Sequence, residues 1–199
     1  IQLEILDTKN LDSSGSPIVQ TITNLDVSPE NIFLNPTAEK VLIENTDSWL
    51  FIDTEKTKTT NLSTFLNLEI NNPVFDLDNS NIFYALSDSG LERIDSVVPS
   101  KTTLIKENII SFYISGNDLL YIKDNSGNLE LIQTHLSNPD DYEILSTLPF
   151  SSKYTFYPAP DKIINLIDEQ NQILYIFDFD TKVFPDKKTI IPEVKYLAW

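Results

Sequence analysis

Few side chains in this sequence have the types and spacing that chemistry requires, and His135 is the first to weigh. It is the chain's one histidine. An imidazole works as a general base beside a positioned nucleophile. The chain holds no cysteine and no serine in a Gly-x-Ser-x-Gly elbow. Imidazole-based metal sites use two or more such rings, so they fail on the same count. His135 therefore reads as a surface residue at a strand end. Asp76-Leu77-Asp78-Asn79-Ser80-Asn81 alternates oxygen ligands as a calcium loop does. An EF-hand also needs Gly at its sixth position and Glu at its twelfth, where this chain has Asn81 and Ser87. The segment fits better as a turn in which Asx side chains bond the backbone. Asp124-Asn125-Ser126-Gly127-Asn128 reads the same way. No catalytic, cofactor-binding or metal-binding residue is assigned from these patterns, and the chain is read as not an enzyme.

The elements that would carry any site are strands. Apolar residues make up 41% and aromatics 11% of the 199 residues, a composition that folds around a core. Ile, Asn, Thr, Asp and Tyr are prominent, which favours strands and turns over helices. With only four glycines, Asn and Asp must fill most turns. The formal charge is −16. That field repels phosphate backbones, so nucleic acid is a poor partner, while basic proteins are attracted. No stretch approaches the roughly 18 uncharged apolar residues of a spanning helix, so no membrane insertion is expected from this segment.

A phrase recurs along the chain: a short apolar run, then an acidic-threonine turn, then lysine. It reads Leu3-Glu4-Ile5-Leu6-Asp7-Thr8-Lys9, Trp49-Leu50-Phe51-Ile52-Asp53-Thr54-Glu55-Lys56 and Tyr175-Ile176-Phe177-Asp178-Phe179-Asp180-Thr181-Lys182, with a weaker copy at Leu91-Glu92-Arg93-Ile94-Asp95-Ser96. A period of roughly 40 to 45 residues built of short strands predicts β-propeller blades. The expected class is all-β, a propeller of about five four-stranded blades, either a closed small ring or an excerpt of a larger one. Blades are placed at about 31–72, 73–108, 109–150 and 151–193, with a partial blade at 1–30 and the start of another at 194–199. In each, the second strand is a continuous apolar run, the third is more alternating and the fourth is polar. The Asp-Thr phrase is expected to mark the turn into the outer strand.

Two segments depart from the phrase, Ser63–Asn72 and Ser137–Asp141. The stretch Ser137-Asn138-Pro139-Asp140-Asp141 suits one capped helical turn. Ser137, Asn138, Asp140, Asp141 and Tyr142 are the best candidates for a binding rim. Phe33, Phe75, Phe112, Phe156 and Trp199 recur on first strands, where they would either form a stacking ring or pack the core, and recurrence in every unit favours packing. Glycosidase chemistry would need two carboxylates at a set separation, and the first strands offer only Asp76.

These units resemble the blades of bacterial TolB-like and WD-repeat-like propellers, on the strength of Asp7-Thr8-Lys9, Asp53-Thr54-Lys56 and Asp180-Thr181-Lys182. The usual glycine of that turn is missing, as are the Trp-Asp and Gly-His pairs of WD repeats. The Asn/Ile-rich composition is also similar to propellers that follow PEGA domains in bacterial surface proteins, which would imply an extracytoplasmic or cell-surface setting. The resemblance implies a fold more than a role. The expectation is a non-catalytic interaction or scaffold module with a protein partner and no cofactor, part of a larger bacterial protein. The alternatives are a glycan-binding propeller of lectin type or a fragment of a propeller enzyme.

Overall fold

Short apolar runs separated by Asx-rich turns fold here into antiparallel hairpins, each strand hydrogen-bonded to the next in sequence within its own sheet. The computed structural model describes residues 3–11, 13–22, 29–37, 39–56, 58–66, 69–106, 108–158, 163–178 and 189–190. Strands β1 (Leu3–Leu11) and β2 (Pro17–Ile22) form a two-stranded sheet. Strands β3 (Asn31–Leu34), β4 (Lys40–Asn45), β5 (Ser48–Asp53) and β6 (Lys58–Asn61) form the first four-stranded sheet, in that order. A single helical turn, α1 (Ser63–Leu66), follows. Three further four-stranded sheets are built the same way. One comprises β7 (Asn71–Phe75), β8 (Ile82–Ser87), β9 (Gly90–Asp95) and β10 (Ser100–Ile105). The next comprises β11 (Ile109–Ser115), β12 (Asp118–Asn125), β13 (Asn128–His135) and β14 (Asn138–Leu148). The last comprises β15 (Tyr154–Pro158), β16 (Ile163–Asp168), β17 (Ile173–Asp178) and β18 (Thr189–Ile190). The chain divides into two compact units, residues 1–87 with 92–103, and residues 88–91 with 104–199.

Within the first unit the core gathers Leu42, Trp49, Phe51, Leu62, Ile70, Phe75, Phe83, Ala85 and Ile94, with Phe33 and Leu66 packed against it. The second strands are buried as continuous runs, Val41-Leu42-Ile43 and Ile82 to Leu86, as strands covered on both faces must be. Strand β5 departs from the expected alternation and is buried from Trp49 through Asp53. Its Trp49 and Phe51 enter the cluster, while Leu50 and Ile52 on the opposite face are buried too. Strand β6 is mostly exposed.

The second unit centres on Ile122, Leu129, Leu131, Leu148, Tyr154, Leu166 and Tyr175. A smaller cluster of Leu120, Ile164 and Phe177 lies beside Tyr113 and Phe156. The β12–β13 hairpin turns on Ser126 and Gly127, with φ of 54° and 92°. Consecutive positive φ values are what a tight primed turn needs. The first-strand aromatics pack inward: Phe75 and Phe112 are buried, Phe33 lies 5.9 Å from Trp49 and Phe156 lies 6.3 Å from Tyr113 between ring centroids. Trp199 lies outside the described residues.

The recurring phrase works as a staple in two copies. The Thr54 amide and hydroxyl both donate to the Glu39 carbonyl, at 2.9 and 2.8 Å. Asp53 accepts from the Lys56 amide at 3.1 Å. In the next sheet the Ser96 amide and hydroxyl donate to the Asn81 carbonyl, at 3.0 and 2.7 Å, and Asp95 accepts from the amides of Val97 and Val98. The carboxylate thus closes its own turn while the hydroxyl residue ties it to the start of the neighbouring second strand. The first copy differs. Asp7-Thr8-Lys9 lies inside β1, which continues to Leu11 across a register irregularity, and the chain turns afterwards at Gly15, with φ of 80°. Residues 179–182 of the last copy lie outside the described residues.

Candidate functional site

The β13–β14 hairpin holds all five candidate rim residues. Leu136 and Ser137 form its turn. The helical turn expected from Ser137 to Asp141 does not form, and β14 begins at Asn138. The reason is a latch from the preceding hairpin. Asn117 accepts from the Ser137 amide at 3.1 Å and donates to the Ser137 hydroxyl at 3.0 Å, while its carbonyl accepts from the Leu136 amide at 2.8 Å. The Ser137 hydroxyl that would cap a helix is held in this turn.

Pairing then skips. His135 faces Asn138 and Thr134 faces Tyr142, so Pro139, Asp140 and Asp141 are looped out of the ladder. A proline belongs at such a bulge because it has no amide hydrogen to contribute. The buried Thr134 hydroxyl lies across the base of the loop, 2.7 Å from the Asp141 carbonyl and 3.2 Å from the Asn138 carbonyl. Asp140, Asp141, Tyr142 and Glu143 are exposed. Beyond the bulge Glu143 faces Gln133 and Ile144 faces Ile132. Tyr142 and Ile144 therefore share one face of the strand, and both are 51% exposed. The structure thus places the candidate residues at the head of an outer strand rather than in a free loop. Glu143 and Ile144, which the sequence reading did not single out, are exposed beside them.

The second candidate segment, Ser63–Asn72, holds the helical turn that the Ser137 stretch lacks. Asn61 accepts from the Thr64 amide at 3.2 Å, and the Ser63 hydroxyl accepts from the Trp49 amide at 2.8 Å. Beside it lies a cleft of about 470 Å³ lined by Glu30, Glu44, Asp47, Trp49 and Glu69 among others. Two of these carboxylates serve the local fold. Glu44 accepts from the Asn31 side chain at 2.7 Å and Glu30 accepts from the Thr46 hydroxyl at 2.9 Å.

The other titratable candidates have structural partners. His135 Nδ1 lies 2.9 Å from Asp118 Oδ1 at the exposed open end of the β12–β13 hairpin. Asp76 accepts from the amides of Asp78 and Asn79 through one oxygen, at 2.8 and 2.9 Å, and from the Tyr84 hydroxyl through the other, at 2.8 Å. Burial, then the Asp76 carboxylate, pushes the Tyr84 hydroxyl up to about 12. Asp168 is fully buried. Burial works to raise its pKa, but hydrogen bonds from Ser151, Asn171 and Tyr154 bring it below the usual carboxylate value. It closes the β16–β17 turn by accepting from the Asn171 amide and side chain, at 2.9 and 2.8 Å. Among the described residues no three His, Cys, Asp or Glu side chains converge as a metal site. Among them, too, no helix is long and apolar enough to cross a membrane.

No protein-family model matches the chain, and no curated protein matches it. Solved structures do. A chain of a nidogen/laminin complex superposes with a TM-score of 0.57 at 17% identity, covering 87% of this chain and 68% of that one. TolB from Acinetobacter baumannii superposes with a TM-score of 0.60 at 15% identity, covering 92% and 50%. A chain of a mitotic checkpoint complex gives 0.54 at 10% identity, covering 84% and 56%. The chain thus spans about two thirds of the nidogen/laminin chain and half of TolB. At these identities the likeness speaks for the fold, and the fold is that of β-propeller blades.

Proposed function

We propose that this chain is a non-catalytic propeller module that holds a protein partner, with the β13–β14 hairpin as its contact surface. The observation that carries the reading is the exposed run Asp140 to Ile144, built on a bulge that a buried threonine pins in place. A surface that rigid loses little conformational entropy when it binds. His135, Asp76 and Asp168 are engaged in turns and hairpin ends, which favours a role in recognition over turnover. Two of the superposing structures are, by their titles, complexes, which supports a partner-holding role by analogy of fold.

The test is affinity capture by the purified chain against a chain carrying Asp140→Lys, Asp141→Lys and Glu143→Lys, followed by calorimetry with each purified candidate. A protein that binds the first and loses at least tenfold in affinity for the second supports the reading. Capture that does not differ between the two chains would sink it.

A further inference from the structure

Propellers end each blade in an outer strand whose far edge carries unpaired backbone groups, and proteins usually guard such edges with short strands and lysines. Strand β6 is four residues long and carries an exposed Lys58; β10 is six long and carries an exposed Lys101. Strand β14 carries no such lysine. It runs from Asn138 to Leu148 without lysine or arginine. Proline and a bulge guard its head, where Pro139 to Asp141 are looped out. Beyond them its edge continues through Tyr142–Ile144 and, past one extra residue at Leu145, Ser146–Leu148. Among the described residues no strand pairs with its outer side, since the sheet order ends at β14. Tyr142 and Ile144 stand exposed on one face, with Glu143 exposed between them.

From this we infer that β14 takes up an extended, basic segment of a partner protein as an added strand. The inference rests on the reading of the chain as an interaction module and names the chemistry of what it binds. Backbone pairing along Tyr142 to Thr147, with the incoming strand following the irregularity at the extra residue Leu145, would supply affinity. Side chains two apart would supply selection. Apolar residues of the incoming strand would lie beside Tyr142 and Ile144, and lysine or arginine would meet Asp140, Asp141 and Glu143. Directly opposed opposite charges stabilise strand pairs, and like charges destabilise them. That sign argument also chooses the occupant. A second copy of this chain would bring an identical acidic strand against the first, and each chain carries a net charge of −16.

The experiment uses the whole chain and a labelled peptide of alternating lysine and valine, about eight residues long to span the free edge. Two versions N-methylated on alternate amides and a lysine–proline peptide of equal charge serve as controls. The proposal expects the Lys-Val peptide to bind. One N-methylated version and the Lys-Pro peptide should each lose at least tenfold, and the other N-methylated version should bind nearly as well. The Asp140→Lys, Asp141→Lys, Glu143→Lys chain should lose at least tenfold while keeping the circular dichroism spectrum and melting temperature of the parent. Equal binding of the Lys-Pro peptide would reduce the contact to charge alone and overturn the added strand. Lys-Val binding that survives the triple substitution would move the site elsewhere, leaving the interaction module standing but this edge refuted. No binding of the Lys-Val peptide, or β14-dependent self-association in sedimentation, would also overturn the assignment, whatever the capture experiment shows for the module.

Discussion

The Thr134 hydroxyl sits 2.7 Å from the Asp141 carbonyl oxygen, seven residues on along a hairpin whose turn is only two residues long. One buried donor thus sets where the ladder breaks and where it resumes. Thr134→Val keeps the shape and removes the donor, leaving the Asp141 carbonyl without this partner. The expected loss is about 1–2 kcal/mol of stability, read as a lower urea midpoint with an unchanged m-value. The same variant should weaken Lys-Val peptide binding, because the Asp140–Asp141 carboxylates lose their fixed position.

Lys40 and Asp53 form a buried ion pair at 2.9 Å, with Lys56 reaching the second Asp53 oxygen at 3.2 Å. Burial works to raise the Asp53 pKa, but hydrogen bonds from Lys40 and Lys56 bring it below its ordinary 3.8. A carboxylate lowered by folding contributes stability above its unfolded pKa, and that contribution is lost as pH falls through the folded value. Acid titration of the melting temperature should therefore steepen below about pH 4, and Asp53→Asn should flatten that limb. At neutral pH Asp53→Asn alone leaves the Lys40 charge buried and costs about 3–5 kcal/mol. Lys40→Met with Asp53→Asn should recover most of that loss in a double-mutant cycle.

Tyr84 gives the opposite sign at the alkaline end. Its neutral hydroxyl is held by burial and by Asp76, with the pKa pushed up to about 12. A group whose proton is held more tightly in the folded state contributes stability below its unfolded pKa of about 10, and loses it as pH rises through the folded value. Tyr84→Phe should make unfolding between about pH 10 and 12 less steep, measured by equilibrium denaturation across that range.

Phe51→Asp tests the strand assignment itself. Phe51 is buried among Leu42, Leu62 and Phe83 in the first unit's core. An unpaired carboxylate there costs several kcal/mol, on the order of the whole stability of a small domain. Loss of the cooperative thermal transition is expected. A Phe51→Asp chain melting with the parent would mean that β5 does not lie where it is described.

Much of this architecture was legible in local pattern. Val41-Leu42-Ile43 announces a strand covered on both faces, and Asp53-Thr54 and Asp95-Ser96 announce turns because each residue bonds the backbone nearby. What failed depends on distant partners. Asp7-Thr8 carries the same residues, yet β1 runs on through them to Leu11. Ser137 has the chemistry of a helix cap, but Asn117, twenty residues earlier, takes its hydroxyl. Ser63 heads the one-turn helix instead, where Asn61 supplies the cap. The rim residues could be picked from composition. The bulge that presents them could not, since it rests on a hydroxyl in the facing strand, and the exposure of Tyr142 and Ile144 follows only from the register that bulge creates.

The looped-out trio Pro139-Asp140-Asp141 also separates two kinds of inheritance in one strand. Changing the pairing of a strand by one residue exchanges its two faces, so most positions in these sheets are bound to a fixed count. The trio lies outside that count, and its ends are tethered through carbonyl oxygens, which every amino acid supplies. Residues there can be exchanged without turning Tyr142 and Ile144 to the other face. The hairpin therefore carries a short stretch whose chemistry is free to drift toward new partners, mounted on a frame that does not have to move with it.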